Sequence, residues 1–217
     1  LVLLQPDLGT ALVLGAIWVG YLLVSGIKWR HLVAGALLAV LVGALSWSLF
    51  LKDYQRARIY GFFQPAYAPL GINYNVIQSK IAIGSAGFWG KGFGGGTQTQ
   101  LGFLPEAPRD FILASFVEEW GVGGGLVLLA AFSALVLSIV RIGLIARGNF
   151  GRLFCLGAAC MLIVQFFMNA GSTIGLFPVV GLPLPLVSYG GSSLFTTMML
   201  LGIVQGISIR ASFFHET

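Results

Sequence analysis

Charged residues are scarce in this chain. Only 9% of its 217 residues are Asp, Glu, Lys or Arg, whereas a soluble domain carries about 25%. Hydrophobic residues make up 57%, above the usual ~45–50%. This balance excludes an ordinary soluble domain, a disordered chain and a domain that binds nucleic acid through a basic face. It leaves a polytopic helical membrane protein.

Cysteine and histidine are also rare. Cys155 and Cys160 lie five residues apart in one apolar segment with no acid or histidine nearby, so neither a disulfide framework nor a zinc site is predicted. We interpret them as small buried apolar residues. The two histidines, His31 and His215, have no third partner, so a Ser-His-Asp hydrolase is not supported.

Four long stretches of the chain contain no charged residue. A membrane-spanning helix needs about 20 apolar residues, and the last stretch, 153–209, would be roughly 86 Å long as one helix. Prolines and glycines between 175 and 185 therefore divide it. The sequence predicts an all-α fold with about five transmembrane helices, near 8–27, 31–51, 111–140, 153–176 and 190–209.

The charges gather around one predicted loop, 52–110. More than half of them lie between Lys52 and Glu119, and loops on rigid scaffolds often carry function. The segment 141–152 has three arginines and no acid, so Lys and Arg bias places it in the cytoplasm and the long loop outside. The apolar opening, residues 1–4, is typical of the end of a cut span, and we expect a fragment that lacks upstream helices.

Two glycine patterns in the chain match known motifs. Gly90-Lys91-Gly92-Phe93-Gly94-Gly95 matches G-x-G-x-x-G, but no βαβ unit surrounds it, so we reject a dinucleotide site. A loop whose backbone N–H groups approach a phosphate, or a simple turn, both remain open. Gly121-x-x-x-Gly125 predicts close packing between helices.

Three stretches together resemble the SEDS family, the shape, elongation, division and sporulation proteins, over essentially the whole chain. They are Gln5-Pro6-Asp7-Leu8-Gly9-Thr10, the motifs from Gln78-Ser79-Lys80 through Phe103-Leu104-Pro105-Glu106 to Asp110-Phe111-Ile112, and Pro183-Leu184-Pro185-Leu186-Val187-Ser188-Tyr189-Gly190-Gly191-Ser192-Ser193. Gln5 and the run Pro178-Val179-Val180-Gly181 favour the rod-shape-determining branch over the division branch. The resemblance implies a ten-helix fold in the bacterial cytoplasmic membrane, with this chain as its last half.

The resemblance also implies an activity. SEDS proteins are peptidoglycan glycosyltransferases that polymerise lipid II into β-1,4-linked glycan strands outside the membrane and release undecaprenyl pyrophosphate. Such a reaction requires a base, positive charge near the pyrophosphate and an apolar groove for the lipid. No cofactor is certain, although Mg or Mn could accompany the pyrophosphate. The expected partners are lipid II, the lipid bilayer and a class B penicillin-binding protein, which is a transpeptidase.

Asp110 matches the loop aspartate that the family requires, and the resemblance implies that it is the catalytic base. The alternative is that Asp110 merely caps the helix that follows it. Arg109 stands where the family usually has threonine, which puts the local hydrogen bonding in question.

Several further residues are candidates for substrate binding. Arginine and lysine suit a pyrophosphate, and Glu106 could position the acceptor or a divalent cation. Alternatively, the arginines at the end of the preceding span anchor it to anionic head groups. The predicted substrate-binding residues are Arg56, Arg58, Lys80, Lys91, Glu106 and Arg109.

Two other functions compete with the glycosyltransferase. A flippase or transporter for lipid II would line the membrane midplane with charges, whereas this chain concentrates them in an external loop. A scaffold would only recruit a partner. Glu118 and Glu119 lie within a predicted span, and carboxylates at that depth should face a protein interior or a wet cavity.

Overall fold

The structure is a computed structural model that describes residues 8–49, 56, 60–64 and 73–213. The part of the chain that it describes is all-helical and contains no strand, as predicted. The helices are α1 (Leu8–Val24), α2 (Trp29–Leu49), α3 (Tyr74–Ser85), α4 (Thr97–Gln100), α5 (Ile112–Ile145), α6 (Asn149–Ile174) and α7 (Gly191–Phe213).

Three helices are long and apolar enough to cross a membrane, namely α5, α6 and the part Gly191–Ala211 of α7. α1 is apolar but shorter, and α2 has 21 residues. α6 packs against α1, α5 and α7, while many large apolar side chains on α5 and α7, such as Leu144 and Phe195, remain exposed. Apolar surface of this extent on helices whose backbone bonds are internal suits contact with lipid.

The predicted external loop is largely folded. It contains α3 and α4, and α3 packs against both α5 and α6. A small apolar core closes beneath it, and the buried hydroxyl of Ser79 donates to the carbonyl of Thr173 at 2.7 Å. This core consists of Ala82, Leu104, Ala107, Phe111 and Ala114. The loop is therefore a packed layer at the end of the bundle.

Helix α5 is interrupted at Gly121. The backbone there has φ 72° and ψ −178°, a left-handed region that strongly favours glycine. A Cβ at this position would collide with the carbonyl of Phe88. The prediction that Gly121 serves helix packing is wrong, because the residue breaks the helix and admits another segment against its backbone.

That segment is the glycine-rich stretch 87–92, which we call the docking loop. It saturates backbone groups that the break leaves without helical partners. Four hydrogen bonds join them: Lys91 N–H to Glu118 O (2.9 Å), Gly92 N–H to Glu119 O (3.0 Å), Val122 N–H to Gly87 O (3.0 Å) and Gly123 N–H to Phe88 O (3.0 Å). Two of the loop's N–H groups are thus used within the protein, and the motif is a docking turn.

Helix α6 ends where the sequence predicts a break. Gly175 has φ 76° in the left-handed conformation, and its N–H donates to the carbonyls of Gly171 and Ser172. This is the usual way in which glycine terminates a helix. The segment 176–190 then returns across the end of the bundle before α7 begins at Gly191.

Candidate active site

Asp110 lies in a tight turn directly before α5. The carbonyl of Glu106 accepts the N–H groups of Arg109, Asp110 and Phe111 at 3.2, 3.2 and 3.3 Å. The N-cap position of α5 is Phe111, so Asp110 lies one residue before that position. The Asp110 residue is half-buried, while Glu106 and Arg109 are exposed. The structure therefore brings three of the predicted site residues into one turn.

The returning segment holds this turn from one side. Ser188 Oγ donates to the carbonyl of Arg109 at 2.7 Å and accepts the N–H of Leu184 at 2.8 Å. The N–H of Tyr189 donates to the carbonyl of Pro108 at 2.8 Å. The Val-Ser-Tyr stretch of the third motif is thus a strap across the residues that precede Asp110.

Asn169 holds Asp110 from beneath. Its side chain on α6 is only 2% exposed, and Nδ2 donates to the carbonyls of Asp110 (3.0 Å) and Leu182 (2.8 Å). An amide that bridges two carbonyls of irregular backbone fixes their relative positions. No local pattern in the sequence indicates that Asn169 reaches Asp110, which lies 59 residues away in the chain.

The carboxylate of Asp110 lies beside Gly181. A Cβ built on Gly181 would lie 3.8 Å from Asp110 Oδ2, and this glycine has φ 71°. The absence of a side chain there leaves space next to the carboxylate. Asp110 therefore has a fixed backbone and a carboxylate that borders the returning segment.

Glu118 has very different surroundings. Its side chain has 0% exposure, which confirms that a carboxylate at this depth faces the protein interior. Five donors reach it: Lys91 Nζ (2.8 Å), Thr97 Oγ1 (3.2 Å), Gln98 N–H (3.0 Å), Thr99 N–H (3.3 Å) and Thr99 Oγ1 (3.1 Å). Such saturation is what a buried charge requires.

Lys91 is therefore engaged inside the loop. Its ammonium group donates to Glu118 and, at 2.8 Å, to Thr97 Oγ1, and its side chain is 23% exposed. Gly96 makes room for this arrangement, because a Cβ there would lie 2.8 Å from Glu118 Oε2. The predicted role of Lys91 in binding pyrophosphate stays a prediction.

Lys80 lies on the exposed side of α3 at the end of α6. A Cβ on Gly175 would meet its Cε and Nζ atoms, so the ammonium group lies over the C-terminus of α6, where the helix dipole favours a cation. Lys80 also lines a small cavity of about 60 Å³ with Asn73, Phe177 and Pro178. Arg56 is half-buried, and Arg58 lies outside the described residues.

Acidic, histidine and cysteine side chains are sparse in the described ranges. The described part of the chain contains no group of three or more His, Cys, Asp or Glu residues that could hold a metal ion. Glu106 and Asp110 share one turn, but two carboxylates fall short of the six or more oxygen ligands of a divalent cation.

A protein-family model matches almost the whole chain. A family model described as "Cell cycle protein", for FtsW, RodA and SpoVE, matches residues 1–212. The chain belongs to this family. The FtsW/RodA/SpoVE proteins are the SEDS proteins that the sequence motifs resemble, so the resemblance is confirmed. The polytopic helical membrane fold is confirmed with it.

Individual relatives agree with the family. Peptidoglycan glycosyltransferase MrdB of Escherichia coli K12 is 44% identical over 207 residues, which cover 95% of this chain and 56% of the relative. The probable peptidoglycan glycosyltransferase FtsW of Geobacter metallireducens is 40% identical over 213 residues, which cover 97% of this chain and 55% of the relative. The chain thus spans about half the length of these curated relatives.

A solved structure shares the fold. It is described as "Structural coordination of polymerization and crosslinking by a peptidoglycan synthase complex" and superposes with a TM-score of 0.76 at 38% identity. The match covers 97% of this chain and 58% of that chain. The FtsW/RodA/SpoVE fold of this chain therefore has an experimentally determined counterpart.

Proposed function

We propose that the protein to which this chain belongs is a peptidoglycan glycosyltransferase that polymerises lipid II for cell elongation, with Asp110 as its catalytic base. The names of the relatives support the reaction class. The observation that carries the residue assignment is the position of Asp110, half-buried on a backbone held by Asn169 and next to the strap of Ser188.

The proposed step is an inverting displacement. The 4-hydroxyl oxygen of the acceptor's GlcNAc attacks C1 of the donor's MurNAc and transfers its proton to the carboxylate of Asp110. The C1–O bond to undecaprenyl pyrophosphate breaks and that pyrophosphate leaves with the electron pair. A general base must come within hydrogen-bond reach of the hydroxyl, and a carboxylate whose position is set by anchored backbone meets that need with little reorganisation.

The departing pyrophosphate needs positive charge. We assign this role to Lys80 and Arg109, together with Arg56 and Arg58 from the same predicted loop, and keep Lys91 as a weaker candidate because Glu118 already engages it. A divalent cation, Mg or Mn, enters this proposal only as a counter-ion of the pyrophosphate. The described residues do not form a site for it, and no step depends on it.

The proposed setting is the bacterial cytoplasmic membrane, with the turn at Asp110 on the outer face. The bias of arginines in 141–152 supports that orientation. The proposed partner is a class B penicillin-binding protein, and the description of the related solved structure, a synthase complex that couples polymerization and crosslinking, supports a transpeptidase partner.

The test is reconstitution of the full-length protein with its transpeptidase partner and lipid II on the accessible face of the membrane. We expect glycan strands of many disaccharides on a gel. A flippase would leave lipid II unpolymerised, because the movement of a lipid across the bilayer forms no glycosidic bond. Folded complex that forms no glycan under conditions where MrdB does would contradict the proposal.

The division branch remains a second candidate because an FtsW is 40% identical to the chain. The identity of 44% to MrdB and the motif at Pro178 favour elongation. Expression of the full-length protein in cells depleted of either relative separates the two. Restored rod shape supports our proposal, and restored septation alone contradicts the elongation role.

A further inference from the structure

A second site lies at the other end of the bundle from Asp110. The turn between α5 and α6 and the last turns of α7 enclose an open cavity of about 450 Å³. Arg152 Nε donates to the carbonyl of Ala146 at 2.7 Å and thereby fixes the turn that forms one wall. The proposed glycosyltransferase reaction uses none of this region.

The cavity combines positive charge with an absence of negative charge. Arg147 of the turn between α5 and α6 and Arg210 of α7 both line it, and its described lining contains no acidic residue. The N-terminus of α6 adds to the positive field. Its N-cap residue, Gly148, also lines the cavity. An anion is the matching ligand.

The rest of the cavity is apolar. Phe150 is 75% exposed, and Ile203 and Ile207 of α7 form the opposite wall. A Cβ built on Gly206 would meet nothing within 4 Å, so open space remains along α7. A soluble anion would gain nothing from these walls, whereas a phospholipid has both a charged head group and hydrocarbon chains.

We propose that this cavity binds one anionic phospholipid. Its phosphate lies between Arg147 and Arg210, and one acyl chain lies along α7 past Gly206. Basic pockets between helix ends bind anionic head groups in this way. Because α5 joins this site to the helix break and the turn at Asp110, a bound lipid would fix one end of the helix whose other end carries the proposed catalytic base.

The experiment is native mass spectrometry of the full-length protein released from nanodiscs that contain phosphatidylglycerol and phosphatidylcholine in equal amounts. We expect one retained phosphatidylglycerol. Arg147→Gln and Arg210→Gln should each lower its retention roughly fivefold, and Gly206→Leu should lower it without any change of charge.

Two variants serve as matched controls. Arg141→Gln removes an exposed arginine of α5 that does not line the cavity, and Gly202→Leu adds the same side chain one turn away on α7, also in open space. Both should retain the lipid. An excess of inorganic phosphate should not displace it.

Three outcomes would overturn the proposal. Equal retention of phosphatidylcholine would show that the two arginines do not select an anionic head group. Loss on addition of phosphate would assign the site to a free anion. Absence of any lipid in the full-length protein would contradict the proposal, and a loss of thermal stability in Gly206→Leu would then show that another segment of the protein fills the space.

Discussion

Asp110 and Glu118 lie near each other in the chain, yet the regions around them differ in kind. Around Glu118, a fully buried carboxylate is saturated by five donors and ties the docking loop to a broken helix. Around Asp110, hydrogen bonds fix the backbone, and the residue stays half-buried next to a glycine. The first region stabilises the fold, and the second is suited to meeting a substrate.

The largest effect on stability should come from the helix break. Gly121→Ala places a Cβ against the carbonyl of Phe88 at a positive φ, so we expect about 3 kcal/mol or more of destabilisation from strain and lost docking bonds. The matched control is Gly84→Ala in α3, which has open space. The measurement is thermal unfolding of the full-length protein. Equal unfolding temperatures of the two variants would contradict the structural role of Gly121.

The ion pair of the docking region should come next. Lys91→Met leaves Glu118 buried without its cation, and we expect about 3 kcal/mol of destabilisation, the lower end for such pairs because Lys91 is partly exposed. Adding Glu118→Gln should restore part of this loss. Lys80→Met is the control and should lower the free energy of unfolding by about 1 kcal/mol or less, the size of a helix-dipole interaction. A larger loss of stability from Lys80→Met than from Lys91→Met would contradict the assignment of Lys91 as the cation that stabilises buried Glu118.

Asn169 connects the Asp110 region to α6. Asn169→Leu removes the bonds to the carbonyls of Asp110 and Leu182, which should cost about 1–3 kcal/mol of stability. Polymerisation should fall by up to about 10²-fold, because small displacements of a catalytic group are costly. Gln165→Leu, on the same face of α6, should retain activity. Equal activity of the two variants would show that Asp110 does not depend on this anchor.

Lys80 should produce the smallest effect. Lys80→Gln removes one charge from the proposed pyrophosphate site, and we expect kcat/KM for lipid II to fall about fivefold, because the lost charge would stabilise the departing pyrophosphate. Lys28→Gln, in the turn between α1 and α2, is the charge-matched control. Steady-state kinetics in which the two agree would remove Lys80 from the site.

Local patterns in the sequence were sufficient to locate the five long helices, but not α3 and α4 within the predicted loop. Charge-free stretches of about 20 residues mark segments that can be buried in lipid, and Gly175 with the following prolines ends α6 where a helix cannot continue. The ends of the observed helices differ from the predicted spans by only a few residues. Whether each helix crosses the membrane stays a prediction, as does the sidedness of the loop.

The arrangement of the site could not be predicted from local patterns. Lys91 meets Glu118 across 27 residues and Asn169 reaches Asp110 across 59 residues, and no periodicity relates such positions. Gly121 was misinterpreted because a glycine at helix spacing usually serves packing. The docking loop identifies Gly121 as the site of the helix break, because the carbonyl of Phe88 occupies the space that a Cβ of residue 121 would need.

The most direct test compares Asp110→Asn with Glu118→Gln in the full-length complex, with thermal unfolding and lipid II polymerisation measured on the same preparations. We expect Asp110→Asn to keep the wild-type unfolding temperature and to lose about 10²–10⁴-fold in the rate of polymerisation. Glu118→Gln should unfold several degrees lower and polymerise near the wild-type rate while folded. Near wild-type glycan yield from Asp110→Asn would contradict the assignment of the catalytic base.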